Sequence, residues 1–121
     1  MNYLELNRKS WNTGVMSTSV WAQPVDEATI AKAKAGRFEV LLTPRTPVPE
    51  AWLSGLRGQD VLCLASGGGQ QVPVLAAAGA NVVSFDLSDE QLRKDEWVAA
   101  REGLSIRCVG SDMADLSCFA D

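Results

Sequence analysis

Asp60-Val61-Leu62-Cys63-Leu64-Ala65-Ser66-Gly67-Gly68-Gly69 begins as a short apolar run and closes on three successive glycines. A run of that length bounded by turn residues reads as a strand covered on both faces. Glycine allows a tight backbone turn and the close approach of a ligand. Beyond the glycines, Gln70 to Ala78 has helical character and Gly79 stops it. Pro73 is tolerated there because the N–H groups of a first helical turn have no partner inside the helix. Asn81-Val82-Val83-Ser84-Phe85 is a second strand, ending at Asp86. Ser88-Asp89-Glu90-Gln91 is a capping box, Ser at the N-cap and Gln three residues on, opening a helix that runs to about Glu102 before Gly103. Ser105 to Val109 is a third strand, and Gly110 to Asp115 a polar loop. The order βαβαβ is half of a doubly wound α/β sheet. Right-handed crossovers set the strands in the spatial order 3-2-1.

The chain divides near Gly58, giving an N-terminal segment 1–58 and the α/β half 59–121. The first segment is Trp- and Pro-rich and is expected to be mainly helical. Residues 3–11 read as a short helix with Tyr3, Leu4 and Trp11 on its apolar stripe, and Thr13 to Ser19 as a loop. Asp26 is placed to N-cap a helix over Glu27–Ala35, and Gly36 to terminate it. Phe38–Leu42 reads as extended. Pro49 suits the start of a short helix over Glu50–Leu56. Trp11 and Trp21 are either core residues or a lid over the site; Trp97 reads as packing.

Composition narrows the function. The chain has 121 residues, 46% hydrophobic and 21% charged, as in one folded domain. Its net charge of −4, with no basic run, disfavours nucleic-acid and anionic-membrane partners. There is no histidine, which removes the commonest general base and metal ligand. Cys63, Cys108 and Cys118 form no CxxC pair, so no metal site is expected. Cys63 and Cys108 read as buried small groups on strands ~9–10 Å apart, too far to bridge. The odd cysteine count argues against a secreted disulfide scaffold. Met1 to Leu6 lacks the apolar core of a signal peptide, and the longest apolar stretch, Val72 to Ala80, is too short to span a bilayer. A cytoplasmic location is expected.

In this topology the glycine turn and Asp86, 19 residues after Gly67, meet at the carboxyl edge of the sheet. A carboxylate there can accept both hydroxyls of a ribose, so the pair reads as a site for a nucleoside-containing cofactor. Val72 occupies the place where a GxGxxG fingerprint starting at Gly67 would need glycine, and no GK[ST] follows the loop. No basic residue lies between Arg57 and Arg93 to hold a pyrophosphate. A cofactor with a ribose and no phosphate fits best, and S-adenosylmethionine meets that description.

Three segments carry a family resemblance. Val61 to Gly69 resembles the hhDhGxGxG first motif of the class I S-adenosylmethionine-dependent methyltransferases. Val82 to Ser88, followed by Glu90-Gln91-Leu92, resembles their second-strand motif, and Gly110 to Leu116 resembles the GDAxxL loop after their third strand. Leu62 to Ala80, together with Asn7 to Asn12, is similar to one bacterial branch of that family. The resemblance implies a partial Rossmann-like sheet with S-adenosylmethionine as cofactor. It implies that the loop Ala65, Ser66, Gly67, Gly68 and Gly69 cradles the methionine part, that Asp86 and the adjoining Leu87 take the ribose side, and that Asp112 and the Met113 N–H meet the adenine. Two positions depart from the pattern: Cys63 stands where the first-strand acid is usual, and Ala65 where the first glycine is usual.

The resemblance further implies seven strands, of which three are present, so the chain is expected to be truncated before the substrate region. Asp60–Leu64 is then expected to be an exposed edge through which the chain self-associates or pairs with another chain, the alternative being that residues 1–58 fold over it. No catalytic residue is identified. The methyl acceptor, with a small molecule favoured, lies outside what the residues define, and turnover by the chain alone is not expected. A non-catalytic cofactor-binding fragment and a nicotinamide-dependent oxidoreductase half-domain are the alternatives.

Overall fold

A computed structural model describes residues 2–12, 23–43 and 45–119. Trp21 and the expected loop Thr13–Ser19 lie outside them. The elements in chain order are helix α1 (Tyr3–Asn12), helix α2 (Glu27–Lys34), strands β1 (Leu41–Thr43) and β2 (Thr46–Pro47), a 3-10 turn (Glu50–Leu53), strand β3 (Asp60–Leu64), helix α3 (Gln71–Ala77), strand β4 (Asn81–Asp86), helix α4 (Asp89–Glu102) and strand β5 (Ile106–Gly110).

β3, β4 and β5 form a three-stranded parallel sheet in that order, the 3-2-1 arrangement expected. The register sets Cys63, Ser84 and Cys108 in one row across the three strands. The two cysteines are thus two strands apart, and all three thiols are free. Consecutive right-handed crossovers moving in one direction place both connecting helices on one face. Val72 and Leu75 of α3 pack there on Val61, Cys63, Val82 and Ile106. Five of the seven residues of α3 are buried, including Pro73 in its first turn. A helix apolar all round must be enclosed, and α3 lies between the sheet, α2 and α4.

The segment before Gly58 is bound to this half by apolar burial. Ile30 and Ala33 of α2 join Val74, Ala77 and Val98 in one core cluster, while Phe38, Val40 and Leu56 pack against the cluster around Cys63. On the second face of the sheet, Leu62 and Leu64 are each 40% exposed. Phe119 crosses that face, its ring 5.5 Å from that of Phe85 and beneath the Arg107 guanidinium. Among the described residues β3 is an edge of the sheet.

Local signals were realised closely at the caps. Asp26 accepts the Thr29 N–H at 2.8 Å, Ser88 accepts the Gln91 N–H, and Gly103 ends α4 in the left-handed conformation at φ +67°. Three details differ from expectation. The helix expected over Glu50–Leu56 is a 3-10 turn of four residues, because Ser54 is already extended and Gly55 turns at φ +72°. β1 and β2 pair as a short antiparallel ribbon, where only Phe38–Leu42 was expected to be extended. Trp97 is not packed inside: it is 56% exposed, with the Arg101 guanidinium 4.9 Å from its ring centre. Among the described residues no helix is long and apolar enough to cross a membrane.

Candidate functional site

Where β3 and β4 end, the turn into α3, the turn into α4 and the loop after β5 enclose a cavity of about 460 Å³. That is within the size range of cofactor sites. Ala65, Ser66, Gly67, Asp86, Leu87, Asp112 and Met113 line it. Gly68 and Gly69, from the same loop, turn away and are buried behind the rim. The fourth wall is α1, which presents Leu4, Asn7 and Trp11, spaced three and four residues apart on one helical face.

The loop is held at the rim by Asp86 and from behind by α4. The Gly67 N–H donates to Asp86 Oδ2 at 2.8 Å, the Gly68 N–H to the Gln91 carbonyl at 2.9 Å, and the Gly69 N–H to Asp95 Oδ1 at 2.8 Å. A Cβ on Gly67 would lie 2.8 Å from Gln91 Cβ and 3.0 Å from Asp86 Oδ2, so the close approach of loop to α4 requires glycine. Ala65, where the family pattern has glycine, adopts φ +52°. That conformation costs an L-residue with a Cβ about 1–2 kcal/mol.

Asp86 organises more than the rim. Its Oδ1 accepts the Ser88 N–H at 2.8 Å. In a capping box the N3 side chain would take that N–H. With Asp86 there instead, the Gln91 amide is free to reach α1, where it donates to the Trp11 carbonyl at 3.0 Å. Asn12 adds a second tie, its Oδ1 accepting from the Ser88 hydroxyl and from the Glu90 N–H. Arg8 adds a third, to Asp89 at 3.3 Å. The C-terminal end of α1 is thereby fastened to the N-terminal end of α4, and Trp11 stands at the cavity wall.

Across the cavity, the Ser111 N–H donates to the Asp86 carbonyl at 3.1 Å, which ties the loop after β5 to the end of β4. Asp112 turns that loop by accepting the Ala114 N–H, and Met113 projects 55% exposed. Among the described residues the lining includes two carboxylates, Asp86 and Asp112, and no Lys or Arg. Among the described residues no cluster of three or more His, Cys, Asp or Glu side chains could hold a metal ion. Burial pushes the Cys63 thiol up to about 11 and the Cys108 thiol up to about 12, with Asp95 adding to both, so both stay protonated at neutral pH.

Leu4, Asn7, Gln91 and Asp95 were not singled out as site residues from sequence. For Asp95 a signal exists: a carboxylate in the stripe Leu92, Asp95, Val98, Ala99 of a helix whose apolar face is buried. For α1 the signal is partial: the sequence offers Trp11 as core or lid and Asn7 to Asn12 as part of the family resemblance, whereas the inward turn of Leu4 and Asn7 depends on contacts with residues about eighty positions later.

Two comparisons with known proteins bear on the same region. Residues 62–121 match the family model described as a methyltransferase domain. The chain is also 46% identical over 115 residues to a Bacillus subtilis (strain 168) protein named "Uncharacterized methyltransferase YbaJ". That alignment covers 95% of the chain and 45% of the relative, so the chain spans less than half the relative's length.

Proposed function

The chain belongs to the class I S-adenosylmethionine-dependent methyltransferases, and on that premise we propose that its cavity binds S-adenosylmethionine. The observation that carries this reading is the state of the glycine loop. All three glycine N–H groups are already engaged by Asp86, Gln91 and Asp95. A dinucleotide's pyrophosphate needs such amides unpaired and aimed at it. Here two of the three acceptors are carboxylates, which would repel a phosphate. S-adenosylmethionine has no phosphate, and its ammonium and sulfonium outnumber its one carboxylate, so the acidic lining favours its net positive charge. The nicotinamide alternative is correspondingly disfavoured.

In this reading Asp86 accepts from the ribose hydroxyls with the lone pairs that Gly67 and Ser88 leave open. Asp112 and the Met113 N–H serve the adenine, and the rim Ala65–Gly67 faces the methionine part, with Gly68 and Gly69 supporting it from behind. Bound S-adenosylmethionine supplies an electrophilic methyl group on a positive sulfur. The chain's residues contribute orientation and the exclusion of water, which account for much of the rate of such a displacement.

Calorimetric titration with S-adenosylhomocysteine tests the reading. Micromolar binding by the 121-residue chain, lost in Asp86→Ala, is the expected result. Absence of binding to the wild-type chain, or undiminished binding by a folded Asp86→Ala variant, overturns it.

We also propose that the isolated chain self-associates through β3, an edge strand among the described residues, with Leu62 and Leu64 40% exposed on the adjoining sheet face. Light scattering should find a dimer or larger species that Leu62→Lys shifts toward monomer. A wild-type monomer at every concentration contradicts this.

A further inference from the structure

One buried carboxylate has no part in the cofactor contacts just described. Asp95 lies on α4 with no exposed surface. Its Oδ2 accepts from the Ser84 hydroxyl at 2.6 Å, and Ser84 is likewise fully buried in the central strand. Its Oδ1 accepts the Gly69 N–H at 2.8 Å. Burying a charge is costly, and a neutral side chain could satisfy either donor. The cost falls at one place on the loop. Gly68 at φ +127° and Gly69 at φ +76° make the turn from β3 into α3. A Cβ on Gly69 would sit 3.0 Å from Pro24 Cβ and 3.1 Å from the Lys94 carbonyl. Gly69 is therefore clamped between the 23–25 segment and α4, and its amide orientation is set by Asp95.

On α4 the acceptors are the Gln91 backbone carbonyl and the Asp95 carboxylate. They take the two amides behind the rim, Gly68 and Gly69, while Asp86 takes Gly67 at the rim itself. We propose that Asp95 is a positioning residue for the cofactor: its carboxylate, beneath Gly69, holds the loop backbone in the shape that presents Ala65–Gly67 to the cavity. This rests on reading the cavity as the S-adenosylmethionine site.

Burial raises the Asp95 carboxyl from its ordinary range to about 6, against the hydrogen bonds from Ser84 and Gly69 that lower it. Asp86 on β4 and Glu96 on α4 face it with like charge, and the protonated thiols of Cys63 on β3 and Cys108 on β5 lie in its field. A proton on Oδ2 reverses the bond with Ser84 and turns a charge-assisted acceptor for Gly69 into a neutral one. Two opposite pH effects follow. The folded state binds this proton more tightly than the unfolded state, so the Asp95 contribution to stability improves as pH falls through about 6. Cofactor affinity, which needs the loop held, falls over the same range. A role confined to stability would not separate the two.

The test titrates the 121-residue chain and Asp95→Asn with S-adenosylhomocysteine at about pH 7.5 and about pH 5, following thermal unfolding alongside. The amide can accept from Gly69 and donate to Ser84, so Asp95→Asn should fold with a thermal midpoint at or above that of wild type. Wild-type affinity should fall about tenfold on acidification, the scale of one charge-assisted hydrogen bond. Asp95→Asn should bind weakly at both values with that pH dependence removed. A folded Asp95→Asn with wild-type affinity and wild-type pH dependence overturns the proposal. If wild type binds nothing at either pH, the cofactor reading fails, and the Gly69 amide resonance then decides the positioning claim. It should titrate with a midpoint near 6 in wild type and stay still in Asp95→Asn; a Gly69 signal that does not move with pH overturns it.

Discussion

α1 and α2 both precede the parallel sheet and both rest on its α/β half, but they are attached by opposite means. α2 sets Ile30 and Ala33, both fully buried, against Val74, Ala77 and Val98. α1 buries no residue at all. It is held by its C-terminal end, through the Trp11 carbonyl, Asn12 Oδ1 and Arg8, all meeting the first turn of α4. Apolar burial is non-directional and grows with area. Polar contacts exchange protein partners for water and contribute about 1 kcal/mol each when part-buried, as those of Trp11 and Asn12 are, and less when exposed, as that of Arg8 is. α2 is therefore part of the core, whereas α1 is the element that opens at least cost in free energy. It is also the one that lines the cavity.

The largest effect should come from removing the apolar anchor. Ile30→Ala deletes buried methyl groups and leaves a cavity that α2, α3 and α4 only partly close. An unfolding free energy lower by about 3 kcal/mol is expected in urea denaturation. Ile30 does not line the cavity, so the folded fraction should bind S-adenosylhomocysteine as wild type does. A loss below about 1 kcal/mol would mean that α2 is no better anchored than α1.

The same contrast separates what was legible in the sequence from what was not. The β3-α3-β4-α4-β5 order could be read because each boundary is written locally: glycines at turns, Ser88 at the cap of α4, apolar runs of strand length. The meeting of the glycine loop and Asp86 at one cavity followed from topology, since parallel strands bring their carboxyl ends to one edge, while Asp112 entered only through the family resemblance. The β1–β2 ribbon was invisible because Thr46-Pro47 is too short to alternate. The wall supplied by α1 was legible only in part: Trp11 stood as either core or lid, and it lines the cavity. Its stripe was read as Tyr3, Leu4 and Trp11, yet Tyr3 is 70% exposed and Asn7 takes its place at the cavity. Which face of a short amphipathic helix turns inward is decided by the partner, and here the partner is the capping network of α4.

Asn12→Ala tests that network. The substitution removes the acceptor for the Ser88 hydroxyl and the Glu90 N–H, while Ser88 still caps α4 by accepting from Gln91. A stability loss of about 1 kcal/mol is expected, the cost of one cap contact. Affinity for S-adenosylhomocysteine should fall more noticeably, because the released α1 takes Trp11 and Asn7 out of the wall. Denaturation and calorimetry on the same variant measure both. A fall in stability equal to that of Ile30→Ala, with affinity unchanged, would reverse the distinction between the two helices.

Arg8→Gln should have the smallest effect and refine the same point. Arg8 lies between Glu5 at 2.7 Å, within its own helix, and Asp89 at 3.3 Å, on α4. Only the second pair joins α1 to the rest of the chain, and its side chains are 36% and 56% exposed. Water and salt screen such a pair, and holding two long side chains in one geometry offsets much of its attraction. The thermal midpoint should therefore stay where it is. Affinity at low salt should weaken by no more than about twofold, and the difference should vanish at high salt. If Arg8→Gln instead matched Asn12→Ala in weakening the ligand and did so at every salt concentration, the tie between α1 and α4 would run through the guanidinium and not through the shared cap. The dependence on Asn12 would then be secondary.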